Sequence, residues 1–188
     1  MMTRLVSLTL CAALLAACQD ETAALPDPID VTADSAGFYC QMALLEHDGP
    51  KGQIHLDGMP APLFFSQVKD AVAYLHMPEQ SHAVMVTYVQ DMTSGTWDNP
   101  GAWVRAEDAV YVIGSRVMGG MDAPEFVPFS SDAAAQKFAD ENGGEVRRFE
   151  TITAEDTLAA PEPVAADADD GTDEMAARLN ALSQSKGN

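Results

Sequence analysis

The chain has 188 residues and carries 29 acidic against 10 basic side chains, which gives a formal net charge of −19. A field this negative repels phosphate backbones and excludes nucleic acid as a partner. Between Pro26 and Thr153 lie roughly 125 residues, enough for one ordinary domain or two very small ones.

The first segment, residues 1–17, has the features of a bacterial export signal. Arg4 supplies a positive start, and the apolar run Leu5–Ala17 is too short to span a bilayer. The run ends in Leu-Ala-Ala before Cys18, which is typical of a lipoprotein cleavage site. We therefore expect Cys18 to be the lipidated first residue of a periplasmic protein, followed by a flexible linker over residues 18–36. An ordinary secretory signal with an incidental cysteine is the alternative, and the choice of inner or outer membrane stays open.

The next segment, residues 37–96, is predicted to form a ββαβ-like unit. Gln53–Leu56 alternates as a strand does, and Phe64–Tyr74 reads as a strand end followed by a helix with Ser66 as its N-cap. Ala83–Val89 supplies a further strand.

A second unit of the same kind is predicted over residues 97–153. Its strands and helix are expected within Ala109–Gly114, Val127–Phe138 and Glu145–Glu150, and the turn-rich Trp97–Gly101 connects the halves. Four positions recur at one constant offset: Phe65 and Phe129, Ser66 and Ser130, Ala71 and Ala135, Tyr74 and Phe138. This faint repeat predicts an α+β fold of two packed ββαβ-like units. The alternative is a chance likeness of two strand-to-helix junctions within one α+β domain.

The last segment, residues 154–188, has the composition of a disordered acidic tail. Ala154–Glu174 contains eight carboxylates and no Lys or Arg. Met175, Leu179 and Leu182 follow at helical spacing, which predicts a short amphipathic helix, marginal on its own.

Removal of the leader, with lipidation of Cys18, leaves Cys40 as a single thiol in an oxidising compartment, two residues before the thioether of Met42. In extended backbone, side chains at i and i+2 point to one face about 6.5 to 7 Å apart, close enough to converge on one ion. Soft thiolate and thioether donors favour Cu(I), whereas the paired Cys and His spacings of a structural zinc site are absent from the sequence.

Two ligands do not complete a site, and the best further candidates are His47 and Met121. His47 lies in a polar turn, and Met121 follows Met118-Gly-Gly in a loop whose glycines allow close approach. A plainer explanation also stands: Cys40 is a small buried hydrophobe and Met42 is part of a strand core.

Enzymatic signatures are missing from the sequence. It has no paired-cysteine redox motif, no phosphate-binding glycine loop before a helix and no nucleophile elbow. We therefore expect a protein that is not an enzyme. Two rivals remain: a thiol-dependent enzyme that uses Cys40, and a metal-independent adaptor lipoprotein of an envelope assembly complex.

Beyond these patterns, the chain resembles the NosL family of lipoprotein copper chaperones that serve maturation of nitrous oxide reductase. The motif Cys-x-Met is followed by Glu-His-x-Gly-Pro-Lys-Gly-Gln-Ile. The resemblance extends over about residues 38–149 and includes Val89–Met92, Trp97, Tyr111–Ser115, Gly119–Met121 and Pro128–Phe129.

The resemblance implies a periplasm-facing, membrane-tethered protein that binds one Cu(I) and passes it to the reductase apoprotein and its membrane maturation machinery. It also implies a two-part ββαβ architecture similar to the organomercurial lyase MerB. The family's ligand motif falls on Cys40 and Met42, with His47 or Met121 as third donor. Many members have glycine between the Cys and the Met, where this chain has Gln41, which we expect in extended backbone.

Overall fold

A computed structural model describes residues 24–158. The predicted leader, Cys18 and the amphipathic segment from Met175 to Leu182 lie outside the described residues. Within residues 24–158, no helix combines the length and the apolar composition needed to cross a bilayer.

Four antiparallel strands form the first sheet, in the order β2-β1-β3-β4. The strands are β1 (Gly52–Leu56), β2 (Leu63–Phe65), β3 (Val84–Gln90) and β4 (Trp103–Arg105). Helix α1 (Val68–Leu75) packs on this sheet. The glycine that starts β1 permits this packing, because a Cβ on Gly52 would lie 2.6 Å from the Cβ of Ala71.

Three antiparallel strands form the second sheet, in the order β6-β5-β7. Its elements are β5 (Val110–Ile113), β6 (Val127–Phe129), helix α2 (Asp132–Asn142) and β7 (Glu145–Arg148). Each half therefore runs strand, strand, helix, strand, and the prediction of two ββαβ-like units is confirmed. The sequence did not predict β4, which pairs with β3 and widens the first sheet.

The two helices differ at their N-termini. Ser131 caps α2, where its hydroxyl accepts a hydrogen bond from the amide of Ala134 at 3.4 Å. The prediction that Ser66 caps α1 is wrong: Gln67 occupies the N-cap position, and its side chain makes no capping hydrogen bond.

A shared apolar core joins the halves. Val68 and Val72 of α1 and Val89 of β3 pack with Tyr111 of β5 and Phe126 before β6, all almost fully buried. Because burial of each such side chain stabilises the fold by about 1.5–3 kcal/mol, this shared cluster fixes one half against the other.

Order extends further toward the C-terminus than the composition predicted. Residues Ala154–Leu158, the expected start of the disordered tail, form a helix α3 that packs on α1. Thr153 accepts a hydrogen bond from the Asp156 amide, and the Asp156 carboxylate accepts from Thr153, a reciprocal capping arrangement. Thr157 is buried, so the folded domain includes this first acidic turn.

Candidate metal centre

Cys40 lies in a tight turn that spans Gly37 to Met42. The Gly37 amide donates to the carbonyl of Met42 at 3.0 Å, and the Gln41 amide donates back to the carbonyl of Gly37 at 2.9 Å. Ala36 and Ala43 form a bridge directly outside these residues. The turn is therefore closed at its base, and Cys40 lies near its tip.

The expected extended backbone between Cys40 and Met42 is wrong. Gln41 has a φ of 56°, in the left-handed region that most side chains avoid. Its side-chain amide donates to the carbonyl of Phe38 at 2.6 Å, which offsets part of this cost. Convergence of the two sulfur atoms on one ion therefore depends on the geometry of the turn and not on strand alternation.

The positive φ of Gln41 predicts how substitutions at this position change the stability of the protein. Gln41→Gly is expected to change the free energy of unfolding by less than about 1 kcal/mol, since glycine adopts this conformation freely but loses the hydrogen bond to Phe38. Gln41→Val is expected to lose about 1–3 kcal/mol, because a β-branched side chain is strained at positive φ. Urea unfolding of the two variants measures the difference, and equal stability would contradict the geometry of the turn.

The thiol of Cys40 packs on the backbone of Gly37. A Cβ on Gly37 would lie 2.5 Å from Cys40 Sγ, so this close approach requires glycine. Cys40 itself is partly exposed and forms no disulfide, and 41% of Met42 is exposed. Both sulfur-bearing residues are therefore accessible from solvent, and the predicted burial of either in a core is not what the structure shows.

Aromatic side chains support the turn from below. Phe38 and Tyr39 both make edge-on contacts with Phe65 at the end of β2, with ring centroids 5.8 and 5.3 Å apart. The Tyr39 hydroxyl donates to the sulfur of Met77 at 3.1 Å, just beyond the end of α1. These contacts fix the turn to the first half although Phe38 and Tyr39 stay 41% and 45% exposed.

His47 lies beneath the glycine loop that contains Met118 and Met121. Its Nδ1 is 2.9 Å from the carbonyl oxygen of Gly120. A Cβ on Gly120 would lie 2.7 Å from the Cβ of His47, so glycine is required for this contact. Met118 and Met121 are 39% and 38% exposed. The structure thus brings His47 and the methionine loop together, two of the predicted site elements from opposite halves of the chain.

The tautomer of His47 follows from its hydrogen bond. A carbonyl oxygen only accepts, so Nδ1 must donate, and Nε2 of the neutral ring keeps a lone pair. Nε2 is buried and has no hydrogen-bond partner among the described residues. An imidazole held by one nitrogen with the other unpaired is the usual arrangement of a metal-ligating histidine.

The predicted residues therefore fall into two groups, Cys40 with Met42 on one turn, and His47 with the loop that carries Met121. Their linker is short: the 3₁₀ turn Leu44–Glu46 follows Met42 and ends at His47, whose amide donates to the carbonyl of Leu44. Among the described residues, no three His, Cys, Asp or Glu side chains are grouped as a metal site. Methionine sulfur is the further kind of donor that both groups contain.

Glu125 is a buried residue of this region that the sequence patterns did not indicate. Its carboxyl group is fully buried close to the glycine loop, and desolvation raises its pKa to about 8. The available signal was a carboxylate in the apolar stretch Pro124–Phe129, where a solvated loop residue is not expected. Lys51 is also buried: desolvation lowers its pKa, and the nearby Glu125 opposes this shift.

Two further histidines, His55 and His82, lie elsewhere. His55, on β1, is buried against Tyr88 and contacts the Gln53 side chain at 2.9 Å, and its burial lowers its pKa. His82 is exposed and its Nδ1 is 3.0 Å from the hydroxyl of Ser81.

Fold and site together define a small α+β domain of two ββαβ sheets that presents one thiol and one thioether on an exposed turn. A model of the NosL family matches residues 28–157. A curated relative, the copper-binding lipoprotein NosL of Achromobacter cycloclastes, is 51% identical over 154 residues, 80% of each chain. The chain belongs to the NosL family.

Two solved structures are similar to this chain. The crystal structure of the copper chaperone NosL from Shewanella denitrificans is 29% identical, with a TM-score of 0.64, and the match covers 68% of this chain and 96% of that chain. The solution structure of apo-NosL from Achromobacter cycloclastes is 50% identical over 54% of this chain and 83% of that chain, with a TM-score of 0.43. The curated relative is described as copper-binding and the Shewanella protein as a copper chaperone, neither as an enzyme, in agreement with the expectation from the sequence.

Proposed function

We propose that this chain is a periplasmic, lipid-anchored chaperone that binds one Cu(I) through Cys40 and Met42 and delivers it for assembly of the copper centres of nitrous oxide reductase. The observation that carries the proposal is the Gly37–Met42 turn, which holds a thiol and a thioether at the surface within three residues of each other. Two soft sulfur donors select Cu(I) over the harder divalent ions.

A third donor comes from the neighbouring group. His47 offers a buried Nε2 that has no hydrogen-bond partner among the described residues, and Met121 offers a thioether on the loop that covers the ring. Of these, His47 has the stronger structural support, because its ring orientation and tautomer are already fixed before any ion binds. Either donor completes the two- or three-coordinate environment that Cys40 and Met42 begin.

Exposure of the turn suits delivery. A partner that adds its own Cys, Met or His to an accessible ion draws it away through an intermediate in which both proteins share ligands, so the ion never enters solvent. This requires donors at the surface, as at Met42. The resemblance to the NosL family points to the reductase apoprotein and its membrane maturation machinery as recipients.

Two observations support the lipid anchor: the motif at Cys18 and the description of a relative. The relative from Achromobacter cycloclastes is described as a lipoprotein, and this chain has a lipoprotein-type cleavage motif before Cys18. Acyl chains on Cys18, each contributing about 0.8 kcal/mol per buried CH2, would hold the domain at a membrane surface facing the periplasm.

Anaerobic titration with Cu(I) against a chromophoric chelator tests the binding proposal. The full chain is used in mild detergent with Cys11 and Cys18 replaced by serine, so that Cys40 is the only thiol. Met42→Ala is expected to weaken binding of one equivalent of Cu(I) by at least about tenfold. Loss of a residue that only orients a metal ligand typically lowers metal affinity by about 10- to 100-fold, and loss of a ligand itself should have at least as large an effect.

Met59→Ala is the matched control for Met42→Ala. Met59 is 43% exposed, much like Met42, but it lies after β1 and outside the candidate site. Its substitution should leave the affinity unchanged. Equal effects of the two substitutions would show that Met42 is not a ligand.

Delivery is tested by mixing the loaded protein with reductase apoprotein and following the appearance of the copper absorption of the reductase, with free Cu(I)–chelator complex as the comparison.

A further inference from the structure

Glu125 connects the two halves at a point between the methionine loop and helix α1. It is 1% exposed, and its Oε1 accepts two backbone hydrogen bonds, from Lys69 at 3.0 Å and from Phe126 at 2.8 Å. Lys69 is the second residue of α1, in the other half of the chain. A side chain 56 residues away in sequence thus satisfies an amide in the first turn of this helix.

This contact replaces a missing cap. The first amides of a helix have no intrahelical acceptor, and the N-cap residue of α1, Gln67, does not supply one with its side chain. The Gln67 side chain instead donates to the carbonyl of Ala123 at 3.3 Å, two residues before Glu125. Two side chains therefore cross the junction in opposite directions and tie the start of α1 to the segment Ala123–Glu125.

The same segment closes the methionine loop. The Gly119 amide donates to Ala123 at 2.8 Å, and the Asp122 amide donates to Gly119 at 3.0 Å. A Cβ on Gly119 would lie 2.9 Å from Glu125 Oε2, so the loop backbone rests on the carboxyl group. The next residue, Gly120, accepts the hydrogen bond from His47. One side of the loop thus contacts Glu125 and the other side contacts His47.

We propose that Glu125 is a positioning residue for the copper site: it docks the Met118–Met121 loop on helix α1 and thereby sets the position of Met121 and the orientation of His47. This rests on the proposed function, since it concerns the donors that join Cys40 and Met42. Glu125 itself does not touch the ion.

The unpaired oxygen distinguishes this role from ordinary core packing. Oε2 is buried without a hydrogen-bond partner among the described residues, a costly arrangement that a leucine at this position would avoid. A carboxyl group offers what leucine does not: an acceptor for two backbone amides at the point where loop and helix meet.

The test combines Glu125→Leu with a change in the donors that the loop positions. In the full chain with Cys40 as the only thiol, Glu125→Leu is expected to raise amide hydrogen exchange at Gly119 and Asp122 and to weaken Cu(I) binding by about 10- to 100-fold. In a background that carries His47→Gln and Met121→Leu, the same substitution is expected to leave Cu(I) affinity unchanged, because nothing remains for it to position.

A cavity mutation and a second tether serve as controls. Val112→Ala opens a cavity in the second sheet, where Val112 is fully buried, and should reduce stability without altering Cu(I) affinity or exchange at Gly119. Gln67→Leu removes the hydrogen bond to Ala123 and leaves Glu125 in place. It should also raise amide hydrogen exchange at Gly119 and Asp122, and it replaces Glu125→Leu in the experiment if that variant is too unstable to purify.

The outcomes separate the two proposals. Unchanged exchange at Gly119 and Asp122 in the Glu125 and Gln67 variants would overturn the docking role. Weakening by Glu125→Leu that persists in the His47 and Met121 background would overturn its action through those donors. Failure of the proposed function is seen elsewhere, as Cu(I) binding that survives substitution of Cys40.

Discussion

Replacement of Cys40 by alanine is expected to abolish stoichiometric Cu(I) binding and to leave the fold intact. The thiolate is the strongest soft donor of the candidate site, so its loss should exceed the 10- to 100-fold effect typical of outer partners. The fold should survive because Cys40 is partly exposed in a turn whose hydrogen bonds are made by backbone atoms and by the side chains of Tyr39 and Gln41, and not by the thiol.

Cys40→Ser sharpens this experiment. Serine keeps the size of the side chain and its packing on Gly37, but its oxygen is a hard donor that Cu(I) does not favour. Both variants should titrate like a chain without the site, with far-ultraviolet circular dichroism and urea midpoints within error of the parent. A Cys40→Ala protein that still binds one tight equivalent would contradict the proposed function outright.

Much of the fold follows from local sequence. The repeat of Phe65-Ser66 and Phe129-Ser130 marks equivalent strand ends before α1 and α2, because each strand ends in a buried phenylalanine that closes its sheet, although neither Ser66 nor Ser130 caps the helix that follows. Ala71 and Ala135 recur for a matching reason: each is fully buried where its helix meets its sheet. The spacing of these residues along the chain is therefore enough to predict where each helix packs on its sheet.

Other features depended on contacts distant in sequence. Strand β4 has only three residues and gains its identity from pairing with β3, so its own pattern is too short to predict it. The cap on α1 comes from Glu125 and not from Ser66, a pairing that no local signal contains. The same holds for the contact between His47 and Gly120, 73 residues apart. The sequence indicated His47 and Met121 as separate candidates and contained no signal that would bring this loop to His47.

The shape of the Cys-x-Met motif was not predicted, and its Cu(I) chemistry stays a prediction. That chemistry depends on two soft sulfur donors and not on the backbone conformation between them. The backbone itself takes a left-handed residue at Gln41, which alternation cannot reveal because glutamine is compatible with a strand. Glycine, which the resemblance to the NosL family led us to expect at this position, adopts this φ without strain.

The second large effect we expect is a pH dependence: the contribution of Glu125 to the free energy of unfolding should fall as pH rises from about 5 to 8. Glu125→Gln should remove this dependence. Desolvation raises the pKa of Glu125 to about 8 in the folded protein, against an ordinary value of 4.5. Above pH 4.5 the unfolded chain therefore loses this proton before the folded chain does. The unfolded state then binds fewer protons, so the free energy of unfolding decreases until pH passes the folded pKa.

The charged and titratable groups around Glu125 set the design of this measurement. Asp70 adds to the rise of its pKa, and the backbone hydrogen bonds from Lys69 and Phe126 oppose it. The nearby buried Lys51 remains the same in both proteins. Burial lowers the pKa of His55, so its contribution to the free energy of unfolding decreases as pH falls, opposite to that of Glu125. Only the difference between wild type and Glu125→Gln isolates the carboxyl group.

Urea unfolding at pH 5, 6.5 and 8 gives that difference. Glutamine keeps an oxygen acceptor for Lys69 and Phe126 but cannot ionise, so the stability of the variant relative to wild type should increase steadily from pH 5 to 8. Since one pKa unit corresponds to about 1.4 kcal/mol, the relative gain should be on the order of a few kcal/mol. A difference that stays constant with pH would mean that the carboxyl group ionises normally, through water reaching Oε2. The loop that it supports would then rest on a solvated contact and not on a buried one.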